Sequence, residues 1–217
     1  MRDGFVVMRT FRHWTPRYLI NRFRLGVYEV LHPNAPWLTP AAVGFLDAHL
    51  KKSDVGLEFG SGRSTAWFAG RIAHLTSIEH DRAWYEKVAP RLAAEGLTNV
   101  EYHLCESDQG DEGADRTDYV RCIDRFADKS LDFVLVDGIY RSACAVRVIP
   151  KLRPGGMLAV DNINWYLPCS SHAPNSRRAS QGPVSSEWGR FHEATRNWQC
   201  VWTTSGVTDT AIYLKPL

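Results

Sequence analysis

The feature that most constrains the fold is a regular alternation of short apolar runs and helical segments that begins at residue 55. Residues 131–136, LDFVLV, form an almost continuous apolar run, which is typical of a strand buried on both faces of a parallel sheet. The alternation predicts an α/β fold with a doubly wound, mostly parallel sheet of seven strands. The predicted strands are Val55–Phe59, Leu75–Glu79, Val100–Leu104, Leu131–Val136, Met157–Val160, Cys200–Thr204 and Thr210–Leu214.

Helices are predicted between these strands, at residues 64–73, 83–95, 140–152 and 187–197. The last two strands are joined by the short segment SGVTD, so the final strand is predicted to be antiparallel. Two further helices are predicted before the first strand. One begins at Pro16, because proline is favoured in the first turn of a helix. The other begins at Pro40, directly after the capping residue Thr39.

Length and composition indicate one domain with a helical extension. The chain has 217 residues, of which 44% are apolar and 23% charged, and these values exclude general disorder. Lys and Arg total 26 against 24 Asp and Glu, a balance that argues against a nucleic-acid-binding protein. No apolar run approaches the length of about 18 residues that a transmembrane helix needs. We therefore expect a ligand-binding domain at residues 55–217, preceded by a helical lid at residues 1–54.

The cysteines are scattered and never form a C-x-x-C pair, so they predict neither a disulfide framework nor a zinc site. They are Cys105, Cys122, Cys144, Cys169 and Cys200. Unpaired thiols and the absence of a signal-peptide pattern at the N-terminus predict a cytoplasmic protein.

The first thirty residues are basic and aromatic. Their arginines are Arg2, Arg9, Arg12, Arg17, Arg22 and Arg24. A solvated helix or a helix that faces a second subunit is the favoured interpretation, and such a helix suits a homodimer. Attraction of an anionic substrate and attraction to a membrane surface are the alternatives.

The strongest local signal is the segment LEFGSGRST at residues 57–65, in which a buried strand runs into a turn with two glycines and then a helix. Glycine permits a positive φ and lets a ligand approach the backbone closely. A phosphate-binding loop needs a lysine that this segment lacks. A dinucleotide fingerprint needs a third glycine, and Thr65 stands in its place. The remaining alternative is S-adenosylmethionine, a nucleoside ligand without a pyrophosphate.

Glu79 ends the second predicted strand, about 20 residues after the glycine turn. A carboxylate at this position can accept hydrogen bonds from both hydroxyls of a ribose. This fits NAD and S-adenosylmethionine equally, so Glu79 indicates a nucleoside without identifying it. A structural turn and a solvated acid are the alternatives, but the order of strand, turn, helix, strand and acid favours a ligand site.

The sequence resembles the class I S-adenosylmethionine-dependent methyltransferases, including their small-molecule and catechol-type O-methyltransferase groups. The matching pieces are LEFGSGRST, TSIEHD, LDFVLVDG and LRPGGMLAVDN, which cover residues 55–162 in the family's order. The resemblance implies a Rossmann-like methyltransferase fold that binds S-adenosyl-L-methionine. It implies donor-binding roles for Glu58, Gly60, Ser61, Gly62, Ser64, Glu79, Ser107 or its neighbour Glu106, and Asp137.

In this comparison Glu58 lies near the donor's amino group and Glu79 binds its ribose. His80 follows Glu79 and either contacts the ribose or caps the strand. Ser107 or Glu106 lies beside the adenine, and Asp137 lies near the reacting sulfonium.

A metal site is also implied. Asp137 follows the fourth predicted strand, and Asp161 and Asn162 follow the fifth, so all three are expected at the same edge of the sheet. Their oxygens suit Mg²⁺ or another divalent cation, and the arrangement resembles metal-dependent O-methyltransferases of the catechol and caffeoyl-CoA type. The catechol type has a lysine three residues after the metal-binding Asp, whereas Tyr140 stands here, followed by Arg141. Acids that contact the donor or cap helices are the alternative.

The remaining candidates flank this edge. Tyr140 is a candidate proton acceptor, adenine neighbour or packing residue, and His172 is a candidate general base in the polar loop after the fifth strand. Trp165 and Tyr166 are candidates for the wall of an acceptor pocket, with core packing as the alternative. Trp37 and Thr39 are expected in the lid.

These observations predict a methyltransferase that transfers a methyl group to an oxygen of a small-molecule acceptor, with Asp137, Tyr140 and His172 as catalytic candidates. The alternative is an NAD-dependent oxidoreductase on a similar sheet. A protein that binds the nucleoside without turnover is a third hypothesis.

Overall fold

The computed structural model describes residues 14–107 and 117–217. Its strands are β1 (Val55–Phe59), β2 (His74–Glu79), β3 (Val100–Leu104), β4 (Leu131–Val136), β5 (Leu152–Asp161), β6 (Gln199–Thr204) and β7 (Asp209–Leu214). Its α-helices are α1 (Pro16–Leu31), α2 (Pro40–His49), α3 (Arg63–Ala69), α4 (Arg82–Ala94), α5 (Asp118–Arg121), α6 (Arg141–Val148) and α7 (Ser186–Ala194). The predictions for Arg2, Arg9 and Arg12 lie outside the described residues.

The strands form a single sheet in the order β3-β2-β1-β4-β5-β7-β6. β7 is antiparallel to both of its neighbours, and the other six strands run in one direction. This confirms the predicted fold class, including the antiparallel last strand. The order reverses between β1 and β4, so the carboxyl ends of these two strands border the crevice where ligands bind in open α/β sheets.

Local sequence signals explain where the first two helices begin. Pro16 and Pro40 occupy the first turns of α1 and α2, where a missing N–H costs no helical hydrogen bond. The hydroxyls of Thr15 and Thr39 accept hydrogen bonds from backbone N–H groups of these turns. Both predicted helix starts are therefore confirmed.

The segment Arg153-Pro154-Gly155-Gly156 belongs to β5, although the predicted strand begins only at Met157, after this Pro- and Gly-containing segment. The backbone N–H of Gly155 donates to the carbonyl of Lys215, and the N–H of Lys215 donates to the carbonyl of Gly156. Pairing with the chain after β7 therefore extends the strand through a glycine with a φ of +77°. The prediction of a helix that continues to residue 152 is also wrong, because α6 ends at Val148 and β5 begins at Leu152.

The core has a layer on each side of the sheet. On one side α5, α6 and α7 cover β1, β4 and β5, and on the other side α2 and α3 cover β2, β4 and β7. Ala42, Val43 and Leu46 of α2 are buried in the second layer, so part of the N-terminal segment shares the core of the sheet. The domain boundary after residue 54 stays a prediction. None of the helices in the described part of the chain is long and apolar enough to span a membrane.

Candidate functional site

The glycine turn after β1 packs directly against the chain after β4. Gly60 has a φ of +88°, and a Cβ atom there would lie 2.8 Å from the nitrogen and Cα of Gly138. A larger residue at position 60 would therefore be strained by its backbone conformation and would collide with a backbone that cannot move aside. The close approach of these two turns forms the floor of the crevice between β1 and β4.

Glu58 supports the glycine turn from below. Its side chain is fully buried, and its Oε2 accepts hydrogen bonds from the hydroxyls of Thr65 at 2.6 Å and Ser77 at 2.7 Å. The N–H of Gly62 donates to the same Thr65 hydroxyl at 3.0 Å, so Thr65 connects the carboxylate to the turn. Burial raises the pKa of Glu58 to about 7, although the hydrogen bonds from Thr65 and Ser77 oppose this rise. Contact with the amino group of a donor stays a prediction.

The Glu79 carboxylate closes the other side of the turn. Its Oε2 accepts from the N–H of Ser61 at 3.0 Å and from the Ser61 hydroxyl at 2.6 Å. Its Oε1 accepts from the N–H groups of His80 at 2.8 Å and Asp81 at 2.9 Å. Burial alone would raise the pKa of Glu79, but the hydrogen bonds from His80, Ser61 and Asp81 outweigh it and lower the pKa to about 2. Glu79 is therefore ionised at neutral pH.

Two aromatic residues that the sequence analysis did not identify complete this side of the site. The hydroxyl of Tyr102 lies 2.7 Å from the hydroxyl of Ser61, and the indole N–H of Trp84 donates to the Ser61 carbonyl at 2.8 Å. Tyr102 also stacks on Tyr85, with ring centroids 4.4 Å apart. Tyr102 is the third of the five residues of β3 and pairs with Ser77 of β2, a contact between strands that no local sequence signal shows.

Ser107 and Tyr140 meet on the far side of the crevice. Their hydroxyls lie 2.9 Å apart, which brings together two residues predicted independently. Tyr140 has a φ of +48°, an unfavourable conformation for an aromatic residue, immediately before α6. Glu106 instead forms a two-pronged ion pair with Arg82, at 2.9 and 2.7 Å, on an exposed surface. Of the two candidates for the adenine, Ser107 is therefore the residue beside Tyr140.

Arg141, the first residue of α6, joins the ends of β4 and β5. Its Nη2 contacts the Asp137 carbonyl at 2.7 Å and the Asp137 carboxylate at 3.0 Å. Its Nη1 donates to the Asp161 carbonyl at 2.6 Å and to the Asn162 side-chain oxygen at 3.1 Å. Its Nε donates to the Gly138 carbonyl at 2.9 Å. The guanidinium therefore makes four hydrogen bonds and one ion pair within the protein.

This arrangement does not fit the predicted metal triad. The Asp137 carboxylate and the Asn162 side-chain oxygen face a guanidinium, and the Asp161 carboxylate accepts from the Thr210 hydroxyl at 2.7 Å. The three groups therefore do not converge on one open point, and Arg141 supplies a positive charge between two of them. Among residues 14–107 and 117–217, no group of three or more His, Cys, Asp or Glu side chains is placed to hold a metal ion.

Burial raises the pKa of both carboxylates at this edge. Burial raises the pKa of Asp161 to about 7, and the charge of Asp137 acts in the same direction, while Arg141 and Thr210 oppose it. Burial also raises the pKa of Asp137, and the attraction of Arg141 opposes this rise. The side chain of Asp137 is 29% exposed, so part of the carboxylate remains open to the crevice.

The remaining predicted residues lie around this centre. His80 Nδ1 is 3.0 Å from the Glu79 carboxylate. Trp165 is 40% exposed, whereas Tyr166 stacks on Trp188 of α7 with centroids 4.6 Å apart and so contributes to the core. His172 lines a cavity of about 1230 Å³ between α1, the loop after β5 and the end of β6.

The two lid candidates differ in their surroundings. Trp37 is exposed, and the guanidinium of Arg63 at the start of α3 lies 4.9 Å from the centroid of its ring. Thr39 is fully buried, and its N–H donates to the hydroxyl of Thr210 at 3.2 Å, beside Asp161. The start of α2 is thus connected to the β5 end of the site.

No protein-family model and no curated protein matches the sequence. Solved structures do match. A methyltransferase-like protein from Silicibacter pomeroyi is 26% identical over 85% of this chain and 91% of its own, with a TM-score of 0.54. A putative caffeoyl-CoA O-methyltransferase from Staphylococcus aureus is 15% identical over 94% of this chain and 95% of its own, with a TM-score of 0.56. An rRNA methylase from Streptococcus thermophilus is 14% identical over 84% of this chain and 100% of its own, with a TM-score of 0.53.

The chain has the fold of the class I S-adenosylmethionine-dependent methyltransferases, which confirms the resemblance seen in the sequence. The antiparallel β7 lies between β5 and β6. The common dinucleotide-binding sheet has the order 3-2-1-4-5-6 without such a strand, so the topology does not support the oxidoreductase alternative.

Proposed function

We propose that the chain is an S-adenosylmethionine-dependent methyltransferase that methylates an oxygen of a small molecule. The observation that carries this proposal is the pairing of the glycine turn with the Glu79 carboxylate through Ser61. A carboxylate that is ionised, placed at the end of β2 and held against such a turn is suited to the hydroxyls of a ribose.

Binding of the donor's ribose to Glu79 requires one local change, at the hydroxyl of Ser61. Both Glu79 oxygens already accept two hydrogen bonds, and one comes from the rotatable hydroxyl of Ser61. Rotation of this hydroxyl releases one acceptor position on Oε2, while the backbone N–H of Ser61 keeps the carboxylate in place. The paired hydroxyls of Ser107 and Tyr140 then border the space for the base.

The acceptor side is organised by Arg141. Its contacts fix the turn after β4 relative to the end of β5, and they leave the Asp137 carboxylate partly open. When bound, the sulfonium donor supplies a methyl group for an in-line displacement, so alignment of the acceptor provides much of the rate. Asp137 accepts the proton that the acceptor hydroxyl loses, and its contact with Arg141 keeps the carboxylate oriented.

The choice of oxygen rests on the resemblance to the catechol and caffeoyl-CoA type, and a metal has no part in the proposal. The putative caffeoyl-CoA enzyme from Staphylococcus aureus has this fold without sharing more than 15% of the sequence. The acids and hydroxyls at the ends of β4, β5 and β7 suit a hydroxyl-bearing acceptor.

Calorimetry with S-adenosylmethionine, S-adenosylhomocysteine and NAD tests the donor. We expect both sulfur nucleosides to bind and NAD to show no binding at the same concentration. The matched variants are Glu79→Gln, which removes the charge under the ribose, and Glu106→Gln, which removes a surface ion pair. Binding of NAD without binding of the sulfur nucleosides would reject the proposal.

A further inference from the structure

The cavity that His172 lines is bordered on one side by helix α1, which turns polar side chains towards it. Helices that lie on a protein normally turn their apolar face inwards. In α1 the side chains of Arg17, Asn21 and Arg24 line the cavity, whereas Phe23 is 73% exposed and Val30 is 78% exposed. At 100° per residue, Arg17 and Arg24 lie about 20° apart around the helix, whereas Phe23 and Val30 lie roughly 100–140° away from them.

This orientation of α1 is fixed by packing. Leu25 is the residue of α1 that is buried. Asn21 packs so closely on the turn between β6 and β7 that a Cβ atom on Gly206 would overlap its amide group. Asn21 lies about 40–60° from the two arginines around the helix and Leu25 about 80–100°, both on the side away from Phe23, so these anchors hold Arg17 and Arg24 towards the cavity.

The lining of the cavity has the chemistry of an anion site. His172, Ser170, Ser171, Thr204 and Ser205 face the arginines from the loop after β5 and the end of β6. No acidic residue is among the lining residues of the described ranges, and within those ranges neither arginine forms an ion pair. The nearby carboxylate of Asp209 is fully buried behind the wall, where it accepts from Ser171 at 2.9 Å and Trp202 at 2.8 Å.

The position of the cavity relates it to methyl transfer. β6 is three strands from β4, which corresponds to about 14 Å at the usual strand spacing. An acceptor whose reacting oxygen lies at Asp137 would therefore reach Arg17 and Arg24 only with a second group about 14 Å from that oxygen. The Ile20, Leu25 and Trp202 side chains provide apolar surface beside the arginines.

We propose that this cavity binds the distal anionic group, a carboxylate or phosphate, of the methyl acceptor, and that Arg17 and Arg24 pair with that group. The inference rests on the proposed methyl transfer, and it makes the acceptor an elongated anionic small molecule. Free guanidiniums in a cavity are suited to both anions, because their N–H groups match paired oxygens. RNA is disfavoured as the molecule that carries the phosphate, because the chain has a net charge of only +2.

The substrate class is tested with methyl-tritiated S-adenosylmethionine and a bacterial small-molecule extract, followed by anion exchange at pH 7. We expect the label in a retained product below about 3 kDa. Loss of retention after phosphatase treatment identifies a phosphate, and retention after treatment identifies a carboxylate. Label in an unretained product or in RNA would overturn the inference and leave methyl transfer intact. No transferred label at all would reject the proposed function and with it the inference.

The residues are tested by kinetics with the unmethylated acceptor identified from that labelled product. We expect Arg17→Gln and Arg24→Gln each to raise the acceptor KM about tenfold, because a charge-assisted hydrogen bond is lost, with an unchanged affinity for S-adenosylhomocysteine. Arg22→Gln is the matched control, because Arg22 is exposed on the same helix and does not line the cavity. A KM that stays within twofold in both cavity variants would overturn the assignment.

A second measurement is independent of the acceptor. Cys169 lines the cavity and is a free thiol, so mass spectrometry can follow its labelling by anionic and cationic methanethiosulfonates. We expect the anionic reagent to be favoured, and the rate ratio to fall about threefold or more at low salt in the Arg17→Gln/Arg24→Gln variant. The same ratio in wild type and variant would contradict a cationic cavity.

Discussion

Replacement of Arg141 by methionine is the sharpest test of how the site is held together. The variant keeps a side chain of similar length but removes five N–H donors and one positive charge. The carbonyls of Asp137, Gly138 and Asp161 lose their partner, and the Asp137 carboxylate loses its counter-ion. Removing one partner of a buried ion pair costs about 3–5 kcal/mol. Because the Asp137 side chain is 29% exposed and water can replace part of the loss, we expect about 3 kcal/mol.

The matched control is Arg147→Met on the same helix. Arg147 pairs with Asp124 at 2.9 Å, but the two side chains are 34% and 48% exposed. Exposed pairs contribute about 0–1 kcal/mol, so the control is expected to change stability by no more than that amount. Arg141→Lys keeps the charge but not the planar guanidinium, so its stability is expected to lie between those of Arg141→Met and Arg147→Met.

The assay is equilibrium unfolding in urea, followed by tryptophan fluorescence and circular dichroism. A loss of about 3 kcal/mol is a large part of the 5–15 kcal/mol that stabilises an ordinary domain, so it is easily measured. A double-mutant cycle with Asp137→Asn isolates the ion pair. The free energy of unfolding of the double variant should fall by less than the sum of the decreases in the two single variants. An Arg141→Met variant as stable as Arg147→Met would refute the structural role assigned to this guanidinium.

Three further predictions concern the turn, the metal and the pH dependence of stability. Gly60→Ala should lower both the melting temperature and the affinity for S-adenosylhomocysteine, because φ is +88° and the added Cβ meets Gly138; a variant with wild-type values would contradict this packing. EDTA and added Mg²⁺ should leave the initial rate of methyl transfer unchanged, because Arg141 occupies the space between the predicted ligands; a loss with EDTA that Mg²⁺ restores would contradict it. The pKa of Glu58 rises from 4.5 to about 7 on folding, so the native state holds the extra proton and this group's contribution to the free energy of unfolding should fall by about 3 kcal/mol as pH rises through that interval, in addition to the fall that Asp161 contributes. Glu58→Gln should flatten this fall in urea titrations between pH 4.5 and 7, and an unchanged slope would show that the group does not titrate there.

The fold could be predicted from the sequence because its signals are local. The apolar run of β4 requires burial on both faces, and Pro16 and Pro40 mark helix starts through a missing N–H. The segment Arg153-Pro154-Gly155-Gly156 was predicted incorrectly because its turn-forming residues were overruled by pairing with Lys215, which is more than fifty residues away along the chain.

The site could be predicted only in part. The glycine turn and Glu79 are recognised by their position after strands, and the structure brings them together through Ser61. Arg141 was visible in the sequence, but nothing local shows that its guanidinium reaches across to the end of β5. The contact depends on the neighbouring positions of β4 and β5 in the sheet, so the metal triad was the simpler interpretation of three oxygen-bearing residues.

The central claim is that the Glu79 carboxylate and the turn after β1 hold the nucleoside of S-adenosylmethionine. A crystal structure of the complex with S-adenosylhomocysteine tests it most directly. We predict that both ribose hydroxyls lie within about 3 Å of the Glu79 carboxylate, with the Ser61 hydroxyl rotated away from Oε2. A nucleoside bound in the α1 cavity, or a Ser61 hydroxyl still bonded to Glu79 with the ribose elsewhere, would contradict the claim.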